Sequence, residues 1–534
     1  MIFFRYLFDN TIRMIHKVTI FFFLLYFTIE ISNGQQEILT ITDLEPHNIQ
    51  RLDILNSTSR ETNPCLTPDG KYLFFMSGRG GESWNNPDYT RYRGRTEADG
   101  DIYYSKLIDG NWSDPVNLGP TINTSMGEDE PNVTPDGQFV IFQSWKDGWE
   151  TSGGPYYRSE LFGNVWGKPA ALGGNIHRFF TDQIEKNDWY YATDGSSLSP
   201  DGNIFIFASG KWYNEPMDLH ISFKKNEQWT YPRKMSLSTK ADERSVFIAA
   251  DSRTLFFSSS GHNGFGGLDI FKTVIDEEGN HGVIINLGST FNTVKDDFGF
   301  TMNAEGTDIF YTQDADILHV RLKNPDQLLK PLPTLLISGF VTDYYGNPLE
   351  AEIRIINKQN ERLVAKAKSN ALSGEYLIVV QKVNERYIKE IIAKDYRNFT
   401  EEIDIRDFDN ITKIESRDLL KKMNSELIFF DLDESVIRDS ELFKMDSIVS
   451  YLFDHKKSRV LLTGHADQLG SDAYNLDLSR KRVENVKTFF QSKGIPGKIM
   501  RTRYFGESQP LESFPRGEEN QINRRVEVLI IPVN

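Results

Sequence analysis

One cysteine, Cys65, serves the whole 534-residue chain. No intrachain disulfide is therefore available, even to an exported protein, and the fold must rest on packing. Basic residues are in the minority, 60 Lys and Arg against 76 Asp and Glu, for a net charge of −16. From Asn424 onward the two signs nearly balance, so the acidic excess lies upstream. A phosphate backbone needs a basic face, so nucleic acid is excluded as a partner. Many of the acids stand in Asp-Gly and Asp-Glu steps and read as solvated turns rather than a cation site. The longest apolar run, VTIFFFLLYFTI (18 to 29), stops at Glu30, short of the ~20 residues of a spanning helix. With Arg5, Arg13 and Lys17 before it and SNGQQ after it, residues 1–34 read as a secretory signal cleaved near Gly34, starting at Met1 or Met14. A lipid anchor would need a cysteine directly after this run, and Cys65 lies far beyond it.

What the chain has is aromatic, at 13% of residues, and repetitive. At 534 residues it exceeds one hydrophobic core and divides into several domains. Between 48 and 325 one unit, E-x-N-P-x-L-T-P-D-G-x-Y-L-F-F at 61 to 75, returns as EPNVTPDGQFVIF (130 to 142), SLSPDGNIFIF (197 to 207), FIAADSRTLFF (247 to 257) and FTMNAEGTDIF (300 to 310). Each copy leads to a short strand opened by an acid, such as DIYY at 101 or DIF at 269, and most then carry W-x-x-P-x-x-L. Pro fixes φ and Gly accepts positive φ, so the Pro-Asp-Gly step is a tight turn between strands. Units of this length with three or four strands describe an all-β propeller, five blades preferred and six the alternative, with an open solenoid as the competing architecture. The last unit lacks the L-x-x-x-N segment, whereas RLDILNSTSRETNP (51 to 64) parallels NLGPTINTSMGEDEP (117 to 131). The N-terminal segment is thus expected to complete the last blade and remove a free edge. These repeats resemble the TolB-like propeller repeats of bacterial envelope proteins, a resemblance that implies an interaction platform and brings no catalytic residue.

After PLPT (331 to 334), residues 335–405 alternate apolar and polar side chains, as in ISGFVTDYYGNPLEAEIRIIN. Period-two alternation predicts a small β-sandwich. The order I-x-G-x-V-x-D-x-x-G-x-P-L resembles the carboxypeptidase regulatory-like family, which implies a spacer or binding role. The charged stretch 406–423 reads as a linker.

Residues 424–534 read β-α-β-α-β-β, an α/β sandwich. Here GHADQLGSDAYNLDLSRKR (464 to 482) places the acid Asp467 and the base Arg482 where together they would grip a zwitterion. G-H-A-D-x-x-G, N-x-x-L-S-x-x-R, Y-F-G-E-x-x-P and N-R-R-V-E resemble the OmpA-like peptidoglycan-binding family, shared with Pal and MotB. Ala466 stands where that family usually has Thr, and Val483 where Ala commonly follows the arginine. The resemblance implies a ligand, the free end of diaminopimelate in the peptidoglycan stem peptide. Asp467 would accept its ammonium, and Arg482 would hold its carboxylate with a planar fork. Backbone amides near Leu478 and Ser479, at the start of the helix, would add donors. Asn475 would cap that helix or touch the ligand, and Arg524 would lie near the pocket with Arg525 in a structural pair. His465 reads as a strand-end packing residue and Asp431 and Asp433 as a structural acidic turn.

The expectation is therefore a non-enzymatic periplasmic protein, associated with the outer membrane, that binds peptidoglycan and presents its propeller to envelope proteins. No cofactor or metal is implied. The module order resembles peptidoglycan-linked components of type nine secretion and gliding machinery, although those relatives often add helical repeats and a lipid-bearing cysteine. The alternative is a propeller-based hydrolase of cell-wall glycan or peptide, against which stands the absence of G-x-S-x-G, H-E-x-x-H and G-x-x-x-x-G-K.

Overall fold

The computed structural model describes residues 38–531 except 42–48, 80–90, 93–94, 97–99, 147, 188–191, 212–214, 344–345, 382–385, 395, 397, 405–411, 421–424 and 512–519. The secretory signal read at 1–34 lies outside the described residues. Among the described residues no helix is long and apolar enough to cross a membrane.

The five repeats form five antiparallel sheets, each a meander of three main strands with one or two short outer strands. Their first strands are Glu61–Leu66, Glu128–Val133, Ala192–Leu198, Glu243–Ile248 and Asp297–Met302, and the register slips once in each. The Pro-Asp-Gly turn forms as its chemistry demands. Gly70 takes φ +74°, and Asp69 accepts from the Thr67 hydroxyl at 2.7 Å and the Lys71 amide at 3.1 Å.

A buried carboxylate staples four of the first strands. Glu243 accepts from the Thr239 amide at 2.8 Å, the Thr239 hydroxyl at 2.7 Å and the Ser259 hydroxyl at 2.9 Å. Glu61 does the same with Ser57 and Ser77, Glu128 with Thr124 and Ser144, and Asp297 with Thr293 and Gln313. Just before the staple, an asparagine side chain brackets the third strand of the preceding sheet. Asn123 accepts from the Ile102 amide at 2.9 Å and donates to its carbonyl at 3.0 Å, and Asn292 repeats this on Ile270. Asn56 makes the equivalent pair with Ile317, in the fifth sheet, whose outer strand is Gln50–Arg51.

One element in this region was not anticipated. Gly174–Asn187 is a helix whose Ile176, Phe179 and Phe180 are buried with Phe205 and Phe207 of the third sheet.

Two further sheets pack face to face over one apolar core that includes Ile337, Ile353, Ile378 and Ile391. One holds Glu375–Gln381, Thr334–Asp343 and Thr412–Leu420; the other holds Leu363–Lys368, Ala351–Asn357, Arg386–Ala393 and Phe399–Asp404. The expected linker at 406–423 is thereby corrected, because Thr412–Leu420 runs parallel to Thr334–Asp343 as a strand of the sandwich. Its alternation is disguised by charge: Glu415 and Arg417 are exposed while Asp418, an acid, points inward. The turn aspartates are not all solvated either. Asp136 accepts from the Lys368 amide of the sandwich at 2.8 Å and Asp251 from the Leu332 amide at 2.6 Å, beside an apolar contact of Ala250 and Ala304 with Leu336, Leu377 and Val379.

The last region is an α/β domain. Its sheet runs Ser425–Phe429, Arg525–Ile531, Arg459–Gly464, Met500–Tyr504, with only the final pair parallel. Helices Asp439–Asp454 and Asp472–Ser492 bury Met445, Ile448, Val483, Val486 and Phe490 in a core with that sheet.

Burial, reinforced by the neighbouring Asp129 charge, pushes the Glu130 carboxyl up to about 8; it accepts from the Tyr156 hydroxyl at 2.8 Å. A carboxyl raised on folding stabilises the fold below its unfolded value, and that contribution is lost as pH rises through the folded value. Glu130→Gln should therefore flatten the decline in stability between pH 5 and pH 8 and leave the protein more stable than wild type at pH 9, on the order of a few kcal/mol. Urea unfolding at a series of pH values checks this.

Candidate functional site

The site forms where the strand Arg459–Gly464 ends against the helix Asp472–Ser492. Gly464 permits the contact, since a Cβ there would come within 2.4 Å of the Ser479 carbonyl oxygen and 2.6 Å of Val483. The next residues, His465, Ala466 and Asp467, are all buried. The Ser479 hydroxyl accepts from the Gly506 amide at 3.1 Å, and the Ala466 amide donates to the Gly506 carbonyl at 2.8 Å. Together these bonds fasten the Tyr-Phe-Gly-Glu turn to the strand end.

Asp467 is in ion-pair contact with Arg524. Arg524 Nη1 donates to Asp467 Oδ2 at 2.8 Å, with side chains only 6% and 3% exposed, and Arg524 Nη2 donates to Gln521 Oε1 at 2.7 Å. Arg482 is fully buried and is held by main-chain carbonyls: Glu434 at 2.8 Å, His465 at 3.0 Å and Asp431 at 3.2 Å. Its guanidinium also faces the Phe430 ring at 5.3 Å. Burial pushes Arg482 down to about 10, with the Asp467 charge opposing and the Arg524 charge adding to that shift. It remains a cation at neutral pH. Among the described residues no carboxylate is in ion-pair contact with it, and the Asp467 and Asp433 charges act on it through space. A buried guanidinium without a contacting carboxylate favours a bound anion.

Two expectations on the helix are corrected. Ser471, not Asn475, is the N-cap, its hydroxyl accepting from the Tyr474 amide at 3.3 Å. Because the helix begins at Asp472, Leu478 and Ser479 lie beyond its first turn, where amides are taken by helix carbonyls four residues back. They are not free donors. Asn475 is instead fully buried; its Nδ2 donates to Glu507 and its Oδ1 has no hydrogen-bond partner among the described residues.

His465 stacks on Phe505, ring centres 5.8 Å apart, and burial next to Arg525 pushes it down to about 3, so it is neutral. Burial likewise pushes Arg525 down to about 9; its Nη2 donates to the Gln509 carbonyl at 3.4 Å. Asp431 pairs with Arg438 at 2.6 Å, and Asp433 accepts from the Tyr474 hydroxyl. Gln521 was missed, although it receives donors from both Arg524 and Arg438. Its position three residues before Arg524 in NQINRR was the available signal. Among the described residues no cluster of His, Cys, Asp and Glu is arranged to hold a metal ion.

Removing one partner of a buried pair strands the other charge, at a cost of roughly 3–5 kcal/mol. Arg524→Ala and Asp467→Ala should each destabilise the domain by about that amount, and the double variant by much less than the sum. A double-mutant cycle by denaturant unfolding measures this.

The model of the OmpA family matches residues 429–524. Over 111 residues the chain is 37% identical to photosystem I P700 chlorophyll a apoprotein A2 of Gloeobacter violaceus, a match covering 20% of this chain and 13% of that protein. Over 111 residues it is 27% identical to the peptidoglycan-associated lipoprotein of Buchnera aphidicola, covering 21% of this chain and 63% of that one. The chain thus spans less than two thirds of the length of either curated relative. Among solved structures, the peptidoglycan-associated lipoprotein of Burkholderia pseudomallei is 25% identical and covers 20% of this chain and 89% of its own, with a TM-score of 0.19. The C-terminal part of the protein, residues 429–524, is an OmpA-like domain.

Proposed function

We propose that this protein is a non-catalytic cell-envelope tether: its OmpA-like domain binds peptidoglycan, and its five-sheet region presents a surface to other envelope proteins. The observation that carries the reading is the charge imbalance at the buried site, where Arg482 is oriented by three main-chain carbonyls and lacks a carboxylate partner among the described residues. A guanidinium has five N–H donors in a fixed plane, so Arg482 keeps donors for a ligand carboxylate. Asp467 and the unsatisfied Asn475 Oδ1 are acceptors for an ammonium. A carbon bearing both groups, as at the free end of diaminopimelate, fits that set. The family match and the printed name of the Buchnera relative, a peptidoglycan-associated lipoprotein, support peptidoglycan as the partner.

The five sheets are blades of a closed propeller in this reading. Support comes from the Asn56 bracket on Ile317, which repeats the sheet-to-sheet bracket of Asn123 on Ile102. A small cavity lined from all five first strands, by Asn63, Glu130, Ser196, Ser245 and Gly299 among others, supports a common axis. The sandwich is the spacer between platform and anchor. Membership of a type nine secretion or gliding assembly belongs to the same proposal and rests on the module order alone.

Arg482→Lys keeps the charge and loses the fork. It should weaken co-sedimentation with purified cell-wall sacculi about tenfold or more, and Asp467→Asn should do likewise, with circular dichroism showing both variants folded. Folded variants that pellet as well as wild type would remove these residues from the site, and release of soluble wall fragments by wild type would mark a hydrolase.

A further inference from the structure

The two sheets of the sandwich are connected across their core by polar groups that peptidoglycan binding does not use. Lys389, on Arg386–Ala393, is 0% exposed, and Asp418, on Thr412–Leu420 of the facing sheet, is 2% exposed. Lys389 Nζ lies 2.9 Å from Asp418 Oδ1 and 2.8 Å from Glu401 Oε2. Glu401 stands directly across from Lys389 on the neighbouring strand Phe399–Asp404, with 49% of its side chain in solvent. The second oxygen of Asp418, Oδ2, accepts from the Tyr376 hydroxyl at 2.8 Å and the Ser416 hydroxyl at 3.0 Å. Gly339 leaves the room for these two groups, since a Cβ there would come within 2.8 Å of Ser416 Oγ and 3.0 Å of the Tyr376 ring.

We propose that Lys389 and Asp418 condense into an intramolecular isopeptide bond that joins the two sheets covalently. In this step Lys389 Nζ, as the free amine, attacks Cγ of Asp418. The N–C bond forms, the C–Oδ1 bond breaks, and Oδ1 leaves as water carrying two protons that the lysine ammonium brought. Ammonium plus carboxylate become amide plus water, so no oxidant, reductant or further reactant is needed. Glu401 accepts the proton that frees the amine and returns it to the departing oxygen, as a general base and then a general acid. The Tyr376 and Ser416 hydroxyls point at Oδ2, where negative charge develops in the tetrahedral intermediate. Burial and the Asp418 charge push the Tyr376 phenol up, so it stays protonated as a donor. The strands hold amine and carboxyl in contact, which turns a bimolecular condensation into a unimolecular one, and the surrounding core excludes the water that would reverse it.

The arrangement also suits a plain buried ion pair, and mass spectrometry separates the two. A tryptic digest of the purified full chain should contain residues 387–394 joined to residues 418–421, lighter than the sum of the two peptides by one water, with no cleavage after Lys389. Glu401→Gln, at a half-exposed position that leaves the core intact, should give a folded protein whose two peptides are separate, and Lys389→Arg should also lack the branched peptide. Complete recovery of the separate peptides from wild type, with cleavage after Lys389, would overturn the bond. A branched peptide persisting in Glu401→Gln would overturn the role given to that carboxylate.

Discussion

Charge taken out of water must be matched by hydrogen bonds or by opposite charge, and that constraint organises this molecule from end to end. In the five-sheet region it is met by staples: Glu61, Glu128, Glu243 and Asp297 each collect an amide and a hydroxyl from the loop before them and a donor from the strand beside them. The staple ties the loop that bridges two sheets to the sheet it enters. In the sandwich the constraint is met by Lys389 and Asp418, each supplied with further polar partners. In the OmpA-like domain it is met by main-chain carbonyls rather than by a carboxylate at one of the buried arginines. Arg524 has Asp467, while Arg482 has main-chain carbonyls and spare donors.

In the tether proposed above, that contrast explains why Arg482 and Asp467 are buried rather than displayed. A surface arginine would be hydrated, and its pairing with a wall peptide would be worth little. An arginine already stripped of water, held flat by three carbonyls, has met its desolvation and ordering costs during folding. The core beneath it, built on Val483, Val486 and Phe490 of the same helix, bears that cost. The strand end, the helix and the Tyr-Phe-Gly-Glu turn are fastened together by Ser479 and Gly506, so the arrangement is a property of the whole domain.

Local chemistry was the legible part of the sequence. The Pro-Asp-Gly turns of three copies, and the apolar run that follows the turn in all five, announced the repeats because their geometry depends on adjacent residues, and the C-terminal motifs located the strand end and the helix that form the candidate site. Long-range partners were not legible. Nothing near Asp467 in the chain distinguishes Arg482 from Arg524 as its ion-pair partner; only the sheet, which sets Arg525–Ile531 beside Arg459–Gly464, decides it. Charge misled twice. The strand Thr412–Leu420 reads as a linker because an acid, Asp418, faces inward where an apolar residue is expected. Asp136 reads as a solvated turn residue, yet it receives a backbone amide from the sandwich. The helix Gly174–Asn187 escaped notice because it interrupts an otherwise regular run of strands, although its buried Ile176, Phe179 and Phe180 keep helical spacing.

The most direct test of the central claim, that the surplus buried cation awaits a ligand carboxylate, is calorimetric titration of the full chain with a soluble stem peptide ending in free diaminopimelate, run beside the same peptide amidated at that carboxylate. Binding of the free acid, lost on amidation, is the predicted result. Equal affinity for the two peptides would contradict it.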